Sequence, residues 1–271
     1  MPRKLLVAIL GLLLAPAVIG SALLLAPRIR IASSLADLIA FAGATLTSLL
    51  SLVILSRGQL PRWSRVALGV AAPALVAAVA YAKGDGAWSV VAVAACLIVF
   101  GHVLGDLIGG NIEHPGHLLP ACVVVSIVDI TSVLHPSGPS HAVLASERAL
   151  AVMVVSFPVL GTHDVAPTIG VGDLLFIALL LAAARRHSLP WIRVAVLIAA
   201  GIAVAGAASA WLNAGVPALP AIGLAVAAGV RDARKLRPKD RKTATIIMVG
   251  AAVVAAALVA SRYLPTLSAS P

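Results

Sequence analysis

Charge is scarce in this chain: only 11% of its 271 residues are Asp, Glu, Lys or Arg, against 61% hydrophobic residues. That is too little polar surface to coat a water-soluble globule, so the composition specifies an integral membrane protein. Aromatic residues are also few, at 4%, whereas Ala, Val, Leu and Gly abound. This balance favours spanning helices packed through small residues over a barrel of alternating strands. Cysteine is nearly absent, and Cys96 and Cys122 lie in apolar runs without a CxxC or metal-ligand spacing, so they say nothing about redox compartment. No metal or cofactor is implied.

What charge there is has one dominant sign. The formal net charge is +10, but the bases stand in short clusters at the ends of apolar runs, and no basic soluble module for nucleic acid exists. Charges of this kind set topology and face anionic lipid.

Apolar runs occupy residues 5–26, 31–55, 66–82, 87–108, 118–134, 168–184, 191–212, 217–230 and 243–264. The fold expected is therefore an all-α polytopic membrane protein with about nine transmembrane helices, multi-pass in the cell membrane. The first run is long enough for an uncleaved span rather than a signal peptide. The stretch 149–160 is apolar, but about 12 helical residues rise only about 18 Å against a hydrocarbon core of about 30 Å, so it is not counted as a span. With a cytoplasmic N-terminus, nine spans place fifteen of the twenty basic residues inside, and a tenth at 149–160 would move the Arg185 group and the 231–242 cluster outside. Three segments are expected: N-terminal helices over 1–117, a catalytic region over 118–230, and a basic cytoplasmic loop with a final helix over 231–271.

Two acidic residues interrupt this apolar sequence. Asp129 lies five residues before the end of the 118–134 run, and Asp173 five residues after the start of the 168–184 run. At 1.5 Å per residue each sits about 7.5 Å below the same membrane face. A carboxylate in a bilayer is costly, so a span keeps one where function requires it. Two carboxylates held close in a low dielectric tend to share one proton. The ionised member can then deprotonate a water while the protonated one supports the oxyanion and protonates the leaving amine. Gly170 and Gly172, before Asp173, let another backbone approach closely. Pro217 and Pro220 make the start of the eighth run irregular, which membrane depth tolerates only where the backbone is protein-buried or lines a cavity.

The order of these motifs resembles the presenilin and signal peptide peptidase family of GxGD-type intramembrane aspartyl proteases. The likeness rests on Asp129 followed by Val133-Leu-His-Pro-Ser-Gly-Pro139, then Gly170-Val-Gly-Asp173, then Pro217-Ala-Leu-Pro220, and covers roughly residues 122–230. It implies a presenilin-like bundle, Asp129 and Asp173 as the catalytic pair, and Pro217, Ala218 and Leu219 as the motif that shapes the active site. It also implies transmembrane proteins or signal peptides as substrates, with no cofactor. Several features depart from the family. Val128 stands where its members usually have Tyr, four spans rather than five precede the first aspartate, and a span follows the Pro-Ala-Leu span. The charge distribution matches the signal peptide peptidase orientation, while the local sequence is closer to presenilin, and the loop between the catalytic spans is much shorter than presenilin's.

Other residues carry weaker signals. The stretch Val152-Met-Val-Val-Ser-Phe157 is rich in β-branched residues and reads either as a strand beside which an unwound substrate pairs or as a short interfacial helix or packed loop. Asp106 follows His102 by one turn, and Asp37 lies near a span; packing, a water pocket or a helix-end position accounts for them. His114 and His117 fall inside, and His135, His141 and His163 outside, so they form no single metal site. Two other classes of function remain open: a proton- or cation-coupled transporter using the intramembrane aspartates, and a silent member that holds transmembrane helices without cutting them.

Overall fold

The computed structural model describes residues 3–58, 60–82, 86–135, 138–212 and 215–267. Lys83 and the Pro136-Ser137 pair of the motif after Asp129 lie outside the described residues. Among the described residues the protein is all-α apart from one small hairpin. Its helices are α1 (Arg3–Leu25), α2 (Ser33–Arg57), α3 (Arg62–Tyr81), α4 (Ala87–Gly110), α5 (Leu118–Leu134), α6 (Pro139–Leu144), α7 (Glu147–Met153), α8 (Val171–Arg186), α9 (Trp191–Leu212), α10 (Leu219–Gly229) and α11 (Pro238–Leu267). The hairpin pairs β1 (Val154–Pro158) with β2 (Val165–Gly170) in antiparallel fashion.

Every one of the nine apolar runs contains a helix. Among the described residues seven helices are long and apolar enough to cross a membrane: α1 to α5, α9 and α11. The other two are shorter, α8 at 16 residues and α10 at 11. The chain is thus a membrane protein by the length and apolarity of its helices. The 149–160 stretch is not one helix; it divides between the end of α7 and strand β1.

The sixth run differs from the sequence expectation at its start. Residues 168–170 belong to β2, and helix begins at Val171 rather than Thr168. Pro167 disfavours helix in the residue before it, and Thr168 and Ile169 are β-branched, so this segment pairs with β1 instead. The register runs from Val154 opposite Gly170 to Pro158 opposite Val165, with an irregularity between Val155 and Ser156. Val155 and Phe157 point inward and are buried, as is Ile169.

The chain divides into two compact units that alternate along the sequence, residues 1–111 with 147–186, and 112–146 with 187–271. In the first unit α4 packs along α8, α1 along α2, and α3 against α4. The α4–α8 contact is set by a small-residue ridge, Gly101, Gly105 and Gly109. A Cβ on Gly101 would lie 2.8 Å from Leu174 Cβ, one on Gly105 would meet the Leu175 carbonyl and Ala178, and one on Gly109 the Leu179 carbonyl and Ala182. Four-residue spacing puts all three on one helix face, where missing side chains let two backbones touch.

In the second unit α10 packs on α9 and α5, and α11 on α5. Gly201 on α9 brings the α10 backbone close, since a Cβ there would lie 2.6 Å from Ile222 Cα. Gly223 on α10 faces Ser126 and Cys122 of α5, 3.1 and 3.2 Å from where its Cβ would be. Leu219, Ile222 and Val226 supply the buried face of α10.

Candidate active site

Asp129 and the Pro-Ala-Leu segment meet in the second unit. One carboxylate oxygen of Asp129, Oδ2, accepts the backbone N–H of Leu219 at 3.1 Å. The local chemistry explains why. Leu219 is the first residue of α10, so its N–H has no partner within the helix. The residue before it, Ala218, has no side-chain oxygen to cap with. Asp129 on α5 takes over that role from a position 90 residues away in the chain. Its carboxylate is also placed favourably at the positive end of the α10 dipole.

Residues on the same face of α5 hold this corner. Cys122, Ser126 and Asp129 follow one another at helical spacing, and the first two lie against Gly223. Ser126 Oγ donates to the Cys122 carbonyl at 2.7 Å, which disposes of a hydroxyl that would otherwise need a partner in an apolar contact. Asp129 is half-buried, and Pro217 and Ala218 are also half-buried. Val128, at the position where the resembling family has Tyr, is 58% exposed. Past Asp129 the chain folds back on itself. Ser132 Oγ accepts the Ser140 N–H at 2.9 Å at the first turn of α6.

Asp173 belongs to the first unit and is the third residue of α8. It lies nearer its helix start than the five residues expected from the sequence, because the helix opens at Val171. Its Oδ2 accepts the Gly170 N–H at 3.2 Å. This is one half of a capping box, the third helical side chain reaching back to the amide before the helix. Gly170 also ends β2, opposite Val154. The carboxylate therefore sits where the hairpin hands over to α8. Gly170 and Gly172 differ in surroundings. A Cβ on Gly170 would touch Asp173 Oδ2 at 3.4 Å, whereas one on Gly172 would meet nothing within 4 Å.

The first unit also contains an ionic cluster built on one buried carboxylate, outside the residues expected to form a site. Asp106 on α4 is 8% exposed and binds two guanidinium groups, Arg65 of α3 at 3.1 Å and Arg185 of α8. Arg185 also donates to the Ser56 carbonyl in the last turn of α2, and Arg186 to the Gly110 carbonyl that ends α4. Bases at helix C-termini satisfy carbonyls that lack intrahelical partners. His102, one turn before Asp106, is 6% exposed. The sequence signal was the His102/Asp106 spacing together with Arg65 and Arg185 at the same expected end of their spans. Such a cluster ties the ends of α2, α3, α4 and α8 together.

His114 and His117 stack edge to face with ring centres 5.9 Å apart, and His117 Nε2 pairs with Asp240 Oδ2 at 3.0 Å. Among the described residues no group of three or more His, Cys, Asp or Glu is arranged to hold a metal ion. The segment Val152 to Phe157 is largely strand, and its partner is the chain's own β2.

Comparison with protein-family models, with curated proteins and with solved structures finds no match to this chain.

Proposed function

We propose that this chain is an intramembrane-cleaving aspartic endopeptidase of the presenilin and signal peptide peptidase type, acting in the cell membrane with Asp129 and Asp173 as its catalytic pair. The observation that carries the reading is the hydrogen bond from the Leu219 amide to Asp129. Two motifs that the resemblance assigns to one active site, far apart in sequence, are in contact within one unit. The third motif, Gly170-Val-Gly-Asp173, has its own support: it opens a helix behind a hairpin, with the carboxylate at the entrance and open space over Gly172. In this reading α8 and α10 join the seven longer helices in a nine-helix, presenilin-like bundle. Both are short because each starts below the membrane face, one behind the hairpin and the other behind Pro217.

The chemistry needs both carboxylates on one peptide bond. The ionised carboxylate takes a proton from water as the water oxygen bonds to the scissile carbonyl carbon, and the protonated carboxylate gives its proton to the carbonyl oxygen. The carboxylate that gained the water proton then delivers it to the amide nitrogen as the C–N bond breaks. The other recovers a proton as the carbonyl re-forms, so the pair ends with one proton, as it began. Substrates are transmembrane segments or signal peptides. Their helices have to unwind first, and an extended stretch pairs along the β1–β2 hairpin with its backbone passing over Gly172.

The test is cleavage of a transmembrane reporter by the purified chain in liposomes, with products identified by mass. The wild type cuts within the apolar segment, and either Asp129→Ala or Asp173→Ala lowers the rate by about a hundredfold or more. An intact reporter with the wild type, or full activity in either variant, overturns the reading. Aspartate-dependent ion uptake without proteolysis would establish the transporter instead.

A further inference from the structure

The segment joining α10 to α11 and the first turns of α11 together carry seven bases between Arg231 and Lys242. They form an ordered structure. The Lys235 carbonyl packs against Gly116 so closely that a Cβ there would collide with it. Arg237 pairs with Asp240 at 2.5 Å and with Glu113 at 3.7 Å, and His117 also holds Asp240. These contacts use up Arg237, while Lys235 pairs with Asp232 at 2.9 Å. Arg231, Arg234, Lys239, Arg241 and Lys242 are exposed, and among the described residues none of them has an ion pair. Five unneutralised cations thus stand within twelve residues on a braced scaffold.

Their position relative to the apolar surface identifies the partner. α11 has 30 residues, about 45 Å of helix at 1.5 Å per residue, whereas the hydrocarbon layer is about 30 Å thick. Beyond Lys242 its surface turns apolar, with Ile246, Ile247, Val249, Val253 and Val254 all exposed. With that face in hydrocarbon, the basic first turns stand at headgroup level. We propose that Arg231, Arg234, Lys239, Arg241 and Lys242 form a docking surface for anionic phospholipid headgroups, which concentrates such lipids around the α10–α11 junction. The cytoplasmic leaflet, to which the charge distribution assigns this junction, carries that lipid charge. The inference does not depend on proteolysis.

The test uses the full chain in nanodiscs of phosphatidylcholine with a minority of phosphatidylglycerol, followed by detergent release and native mass spectrometry of retained lipids. The wild type retains phosphatidylglycerol in excess of its share, and the excess shrinks as sodium chloride rises from low to high concentration, because salt screens exposed charges. The fourfold variant Arg234→Gln, Lys239→Gln, Arg241→Gln and Lys242→Gln reduces that retention roughly tenfold or more, since each base contributes separately at an anionic surface. A control removing four exposed bases elsewhere, Arg3→Gln, Lys4→Gln, Arg62→Gln and Arg193→Gln, keeps most of it. Equal loss in the two variants, or enrichment insensitive to salt in the wild type, overturns the proposal. The salt series needs no variant, so enrichment that ignores salt overturns the proposal even if the fourfold protein fails to fold.

Discussion

The corners that hold Asp129 and Asp173 solve the same problem by different routes. Each carboxylate accepts the N–H at the opening of a helix whose preceding residue, Ala218 or Gly170, has no capping side chain. Asp173 does so locally, across three residues at the opening of α8. Asp129 reaches across 90 residues and needs α5 packed against α10. The first arrangement is a property of a short sequence, the second of a folded unit. A polar group in an apolar setting is stable only when it is hydrogen-bonded, and in both corners a helix-opening amide supplies such a bond.

The comparison can be broken at the helix contacts that position each corner. The largest effect is expected from Gly105→Leu, because the α8 backbone occupies the space a side chain would take. Overpacking there should lower stability by about 3 kcal/mol and disturb the placement of Asp173, as measured by reversible unfolding in detergent. Next comes Asp129→Ala, which strips a charge-assisted bond from the Leu219 amide and leaves it unsatisfied, at about 2 kcal/mol. Asp173→Ala removes a local cap and should cost about 1 kcal/mol, so the two aspartates, equal in the proposed chemistry, are unequal in stability. A larger loss for Asp173 than for Asp129 would reverse the comparison. The smallest change belongs to Gly172→Ala. With nothing within 4 Å of the new methyl group, the melting temperature should hardly move, whereas cleavage should fall if a substrate backbone passes there.

Much of the helical framework could be read from the sequence because apolar run length is a direct membrane signal. Where α8 begins was not, since Thr168 and Ile169 are as apolar in context as the helix they precede, and only pairing with β1 makes them strand. The alternation of the two units was also hidden. In lipid, exposed and buried faces are equally apolar, so the pattern that reveals packing in soluble helices is erased, and partners are chosen by small residues such as Gly105 and Gly201. The contact of Asp129 with Leu219 was foreshadowed only by the irregular start that Pro217 and Pro220 impose on α10. The Asp106 cluster draws its members from residues 65, 106 and 185, and no local pattern joins them.

Whether Asp129 and Asp173 act on the same peptide bond, as proposed, is tested most directly by a cross-link between those two positions. In a background of Cys96→Ala and Cys122→Ala, the double variant Asp129→Cys with Asp173→Cys is oxidised mildly in membranes. A disulfide requires Cβ atoms about 3.8 Å apart, and two carboxylates that share a proton hold theirs somewhat farther apart, so a short bridging reagent is added with the oxidant to join the thiols. A catalytic pair gives an intramolecular link between peptides containing residues 129 and 173 that is absent from either single-cysteine control. If both thiols react with an alkylating reagent yet never join, even through a short bridging reagent, the two aspartates do not share a site.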